Sequence, residues 1–148
     1  MWFERLMHAY RLLNELINGT LRVEAMDEFY VATLGYFRGT KLAYYGFFTH
    51  ETMQLIRKLK KKTTYKTVKS VKRRFKKDIV TYKYLRKFAF DMMTSEELNI
   101  PESVADFIQG RVPKSVGARH YMKLKRKATQ FYPRYAEYII RLRQKALN

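Results

Sequence analysis

Residues 28–48, EFYVATLGYFRGTKLAYYGFF, decide the fold. Two runs of aromatic and β-branched residues, EFYVATLGYF and LAYYGFF, flank the short polar stretch RGTK, and its glycine favours a tight reversal of the chain. The stretch therefore predicts an antiparallel β-hairpin with Arg38 and Lys41 at its tip. Tyr44, Tyr45, Phe47 and Phe48 on the second strand could stack on nucleic-acid bases, but strand aromatics more commonly form core, and core is the reading preferred here.

Working outward, helical periodicity dominates. In RLMHAYRLLNELI, residues 5–17, Leu6, Ala9, Leu12, Leu13 and Leu16 recur at helical spacing, and Asn18-Gly19 supplies a stop. The same Asn18-Gly19-Thr20 matches a glycosylation acceptor, yet no secretory segment precedes it, and it reads as a turn. After the hairpin, Thr49 is positioned to cap a helix from His50 to about Leu59. Residues 57–77 carry twelve Lys or Arg in twenty-one positions, with Val68, Val71 and Phe75 as a thin apolar stripe, and predict a loop followed by a basic amphipathic helix. Further helices are expected at YKYLRKFAFDMM and at PESVADFIQGR, where Pro101 marks a start. A loop around Pro113 follows, then two helices at about Ser115–Gln130 and Pro133–Leu147. The fold class is α+β, mostly helical, with a small antiparallel sheet at about 28–48 against a helical bundle.

Composition bounds the function. A chain of 148 residues supports one domain, spanning 1–148. A net charge of +18, from 31 Lys and Arg against 13 Asp and Glu, predicts attraction to a polyanion, with nucleic acid the leading partner. No apolar run approaches the roughly 18 residues of a spanning helix, which argues against a membrane and for an intracellular, nucleoid-associated protein. Absence of cysteine excludes a disulfide framework, a thiol nucleophile and thiolate zinc; His8, His50 and His120 are too scattered for a histidine metal centre. The charge run itself, through Lys60, Lys61, Lys62, Lys66, Lys69 and Arg73, together with Arg38, Arg119 and His120, is expected to contact DNA phosphates without reading sequence.

KYLRKFA at 83–89, IQGR at 108–111 and His120-Tyr121 stand in the order and spacing of the tyrosine recombinases. The chain resembles the catalytic domain of that family, and within it the integrases of archaeal viruses and plasmids. Residue by residue, the resemblance implies that Arg5 in Arg5-Leu6-Met7-His8 is the first catalytic arginine and that Lys41 is the hairpin lysine. It further implies that Lys83 and Arg86 form the [His/Lys]-x-x-Arg motif, that Gly110-Arg111 is the glycine-[His/Arg] motif and that Tyr121 is the nucleophile.

The implied reaction is DNA cutting and rejoining through a covalent 3′-phosphotyrosyl link, with no metal, nucleotide or other cofactor. Charge accumulating on the non-bridging oxygens would be met by the arginines, whose planar forks suit phosphate, and Lys41 would protonate the departing 5′ oxygen. Cations near Tyr121 would lower its pKa from roughly 10. Many members carry histidine at the positions of Lys83 and Arg111, so the proton acceptor stays open between Lys83, water and the phosphate. Family catalytic domains also begin with helices and a DNA-clamping domain before the first arginine, where this chain has four residues. An N-terminally truncated domain without that clamp is therefore expected, either a deliberately shortened piece or the carboxyl-terminal part of a gene split by integration. The resemblance further implies assembly into dimers or tetramers on double-stranded DNA through the last helix. The contrasting reading from charge alone is a non-enzymatic DNA- or RNA-binding domain, or an inactive integrase remnant, and a membrane-surface protein is a weaker third.

Overall fold

A computed structural model describes residues 12–38, 41–58, 70, 73, 82–113 and 117–148; at 35–38, 41–43, 82–83, 112–113 and 118 the description is of the backbone. The hairpin is present. Strands β2 (Phe29–Arg38) and β3 (Lys41–Thr49) pair antiparallel from Phe29↔Thr49 to Arg38↔Lys41, with a register irregularity between Thr33 and Tyr36. Two short strands extend the sheet to the order β1-β2-β3-β4: β1 (Val23–Ala25) along β2, and β4 (Val112–Pro113) along the start of β3. Residue 113 was expected in a loop; instead Lys41 faces Pro113 and Leu42 faces Val112 in register. Proline is tolerated there because β4 is an edge strand two residues long.

Helix α1, described over 12–17, ends as the sequence predicts. Gly19 takes a left-handed φ of 67°, Gly19 N–H donates to the Leu16 carbonyl and Thr20 N–H to Glu15, the paired bonds that close a helix on glycine. Helix α2 (His50–Lys58) starts at the expected cap, with the Thr52 N–H donating to Thr49 Oγ1 at 3.2 Å. Helices α3 (Tyr82–Met93) and α4 (Glu102–Ile108, capped by Pro101) follow. The basic run of 57–77 lies outside the described residues beyond residue 58, except for Ser70 and Arg73, which are helical.

The final element corrects the sequence reading. In place of two helices interrupted near Pro133, one helix, α5, runs from Ala118 to Leu147 over 30 residues with Pro133 inside it. Proline there removes the N–H that would bond the Thr129 carbonyl, at a cost of about 3 kcal/mol in an isolated helix. Burial on both sides of the proline outweighs that local penalty. Leu124, Ala128, Tyr132 and Ala136, spaced every four residues, are all buried. The first two close a cluster with Met93, Leu98, Ile100, Val104, Ala105 and Phe107 from the α3–α4 region, whereas Tyr132 and Ala136 close a second with Phe29 and Val31 of the sheet. Tyr45 and Phe47 are partly buried and pack against both clusters, as the core reading of the hairpin aromatics expects, whereas Tyr44 is exposed and departs from it. The last turns of α5 are tied to the body by Arg141–Glu97 and Arg143–Glu51 ion pairs. Among the described residues no helix is long and apolar enough to cross a membrane.

The core carries a pH signature. Burial pushes the Tyr132 and Tyr135 phenols above the ordinary tyrosine value, with Tyr138 adding to the shift at Tyr135. Above pH ~10 the unfolded chain ionises these phenols while the folded chain keeps them neutral, so the folded state holds more protons and stability falls as pH rises. Denaturant midpoints should therefore drop between pH 9 and pH 11, and Tyr132→Phe should make that drop shallower; an equal drop in the variant would contradict the assignment.

Candidate active site

The site begins with how α4 ends. Gly110 has φ 64°, a left-handed conformation, its N–H donates to the Phe107 carbonyl at 2.9 Å, and the next N–H, that of Arg111, donates to the Asp106 carbonyl at 2.8 Å. This double bond pattern closes α4 on a glycine and fixes the direction in which Arg111 leaves it. A side chain at position 110 would strain that turn, which is a local physical reason for a glycine directly before the arginine.

Arg86 grips the same helix end from α3. Its Nη2 donates to the Gln109 carbonyl at 2.6 Å, Nε donates to Gln109 Oε1 at 3.3 Å, and Gln109 Nε2 donates back to the Arg86 carbonyl at 3.0 Å. The guanidinium thus caps an orphan carbonyl of α4, while the glutamine side chain holds the arginine in place. Arg111 folds onto α3 one turn further along: its guanidinium lies 5.3 Å from the Phe90 ring centroid and Nη1 donates to Asp106 Oδ1 at 3.4 Å. Two arginines, 25 positions apart in the chain, meet where α3 crosses the end of α4.

Strand β3 links this corner to the tyrosine. Because β4 follows Arg111 directly and pairs with Lys41 and Leu42, the start of the strand lies beside the arginine motif. Beyond those two residues no described strand pairs with this edge of β3, and there the Tyr44 N–H donates to the Tyr121 hydroxyl at 3.2 Å. Tyr44 and Lys41 are about 10 Å apart along an extended strand. The Tyr121 ring packs edge-on against Tyr44 at 4.8 Å between centroids, and against Phe107 of α4 at 4.9 Å. One helical turn later, Lys125 lies 4.6 Å over the Tyr45 ring and 3.8 Å from Glu24, pinning the first part of α5 to the sheet.

Electrostatics at the phenol differ from the sequence expectation. Nearby cations were expected to lower its pKa; burial instead raises it well above the ordinary tyrosine value, the Tyr44 N–H opposing and the Tyr45 and Tyr44 phenols adding a smaller upward push. Its cationic sequence neighbours Arg119 and Lys123 are exposed, on the opposite side of α5. In this docked position Tyr121 is a protonated phenol.

Of the residues singled out from sequence, Arg86, Arg111 and Tyr121 are thus gathered around α4 and β3. Lys83 lies on α3 one turn before Arg86, and the backbones of Arg38 and Lys41 face each other at the hairpin tip. Arg73, Arg119 and His120 are exposed. Arg5, Lys60, Lys61, Lys62, Lys66 and Lys69 lie outside the described residues. Sequence reasoning missed Gln109 and the Tyr44 amide. Gln109, quoted only as part of IQGR, had one available signal, its place just before a helix-closing glycine. Among the described residues no three His, Asp or Glu side chains cluster as a metal set.

In a comparison with protein families, a model described as archaeal phage integrase matches residues 4–138. No curated protein and no solved structure matches the chain. The family match spans more than nine-tenths of the sequence, and the chain belongs to the archaeal phage integrase family.

Proposed function

We propose that this integrase chain is the catalytic domain of a tyrosine-type site-specific recombinase acting on double-stranded DNA. One observation supports the reading above the others: β3 has Lys41 at its start, the strand following Arg111 paired beside it, and the Tyr121 hydroxyl on its Tyr44 amide. Three of the residue types required for metal-independent phosphodiester transfer are thereby attached to one strand.

In the proposed reaction Arg86, Arg111 and Arg5 hold the scissile phosphate and stabilise the charge that grows on its non-bridging oxygens. The Tyr121 oxygen attacks phosphorus in line. A Tyr121 O–P bond forms, the P–O5′ bond breaks, and Lys41 gives its proton to the departing 5′ oxygen. The phenol's proton has three acceptors within the proposal: a neutral Lys83, water, or the phosphate itself. Attack by a 5′ hydroxyl on the 3′-phosphotyrosyl link reverses the step and reseals a strand. Because the docked phenol is half-buried, holds its proton and is bonded to the Tyr44 amide, the first turn of α5 leaves that amide before chemistry in this reading. The same reading has chains associate on DNA through the end of α5, where Leu142 and Leu147 are exposed.

Trapping tests the proposal. Incubated with a pool of nicked duplexes randomised around the nick, the chain should yield strands joined by their 3′ ends to protein and resistant to detergent. DNA bound only in a salt-dependent, non-covalent manner would instead favour the non-enzymatic reading.

Gln109→Ala should slow adduct formation on the order of 10-fold, because Arg86 keeps its charge but loses the side chain that orients it. Gln109→Glu, which retains an acceptor for Nε, should recover part of the rate. Single-turnover rates with saturating DNA check both; a wild-type rate in Gln109→Ala would show that the clamp does not position Arg86.

A further inference from the structure

Counting 100° per residue around α5 from Tyr121, the side chains of Arg119, Lys123, Arg126, Lys127 and Arg134 leave the helix at about 140° to 240°, on the face opposite the tyrosine. All five are exposed. No Asp or Glu occurs between Asp106 and Glu137, so the helix itself offers the stripe no counter-charge from Arg119 to Lys127, and Glu137, beyond Arg134 on the same face, is paired with Arg141. Three other cations of α5 are paired. Lys125 on the inner side has Glu24, Arg141 has Glu97 and Glu137, and Arg143 has Glu51. None of the five stripe residues has an ion pair among the described residues; Arg134 donates to the Leu98 carbonyl and lies over the Phe131 ring. Like charges at i, i+3 and i, i+4, as in Arg119–Lys123, Lys123–Arg126 and Lys123–Lys127, destabilise a helix. The arrangement therefore works against the fold that carries it, and its explanation lies in a partner.

We propose that the outer face of α5 is a second duplex-DNA surface, back to back with the face that presents Tyr121, so that one chain holds two DNA segments. From Arg119 to Arg134 the stripe covers about 22 Å of helix axis. That length spans about six phosphates of one DNA strand. A membrane surface fits less well, because the apolar side of this helix is already buried as Leu124, Ala128, Tyr132 and Ala136. The inference shares with the proposed function only the premise that DNA is the partner, and no step of the cleavage chemistry enters it.

The test compares two variants with an equal loss of three charges: Lys123→Gln, Arg126→Gln and Lys127→Gln on the stripe, and Arg22→Gln with Lys87→Glu as a control on other exposed positions. Glutamine preserves helix propensity, and circular dichroism verifies the fold. With a 20-bp duplex in excess at low ionic strength, native mass spectrometry should count two duplexes per chain for the wild type and the control, and one for the stripe variant. The salt dependence of the second binding step should flatten in the stripe variant, by up to about 2.7 in the slope of log K against log salt. One duplex per wild-type chain, or the same change in both variants, would overturn the proposal. So would a stripe variant that keeps two duplexes while losing binding to acidic phospholipid vesicles. These counts are independent of adduct formation, so an inert chain would refute the cleavage mechanism and still report on the stripe.

Discussion

Tyr121→Phe should abolish the covalent protein–DNA adduct while the folded chain and its grip on DNA persist. Phenylalanine keeps the ring contacts that seat this position, against Tyr44 at 4.8 Å and Phe107 at 4.9 Å. The one hydrogen bond given up is the Tyr44 N–H to the hydroxyl, at an exposed site where water can replace it, so the stability cost should be at most about 1 kcal/mol. Chemically the loss is complete, because no other atom at the position can bond to phosphorus. Thermal unfolding and salt-dependent duplex binding, measured on the same preparation used for trapping, separate a missing nucleophile from a missing fold. An adduct that survives in Tyr121→Phe would transfer the role to another residue.

The second large effect is expected at Arg111. Arg111→Ala should reduce the rate of adduct formation by about 10² to 10³, the range for removing a preorganised donor from developing negative charge. Little of that loss would come from instability. The Asp106 partner is substantially exposed and such pairs contribute roughly 0–1 kcal/mol, with a similar figure for the cation–π contact on Phe90. Arg111→Lys should recover only part of the rate, since an ammonium restores charge without the bidentate fork. Single-turnover trapping at saturating DNA gives the comparison, and a loss confined to DNA affinity would show that Arg111 binds the duplex without acting on the reacting phosphate.

What the sequence disclosed depended on how local the cause was. The hairpin was legible because its two apolar runs and glycine turn all lie within 21 consecutive residues, and the stop at Gly19 because a left-handed cap is a property of the glycine itself; the same cap at Gly110 was not read, and the helix expected through Arg111 ends at Ile108. Strands β1 and β4, three and two residues long, are too short for any periodicity to register, and β4 exists only because β3 lies beside it. Pro133 misled for the opposite reason. Its local penalty is real, but the flanking Ala128, Tyr132 and Ala136 are buried against elements distant in sequence, and that packing holds α5 together.

At the candidate site the residue types and their order were readable, whereas their electrostatics were not. Arg119 and Lys123 are near Tyr121 in the chain, yet both are exposed on the opposite face of α5, so proximity in sequence suggested a lowered pKa where burial against β3 raises it. Gln109 is similar. Its role arises only because α3 brings Arg86 to the end of α4, a tertiary contact with no trace in the spacing.

Chemical mapping of the trapped complex is the most direct trial of the account. After trypsin and nuclease digestion, mass spectrometry should locate the nucleotide on the peptide of residues 120–123, at Tyr121, whose hydroxyl accepts the β3 amide. A nucleotide carried by any other tyrosine, or by a serine, would contradict it.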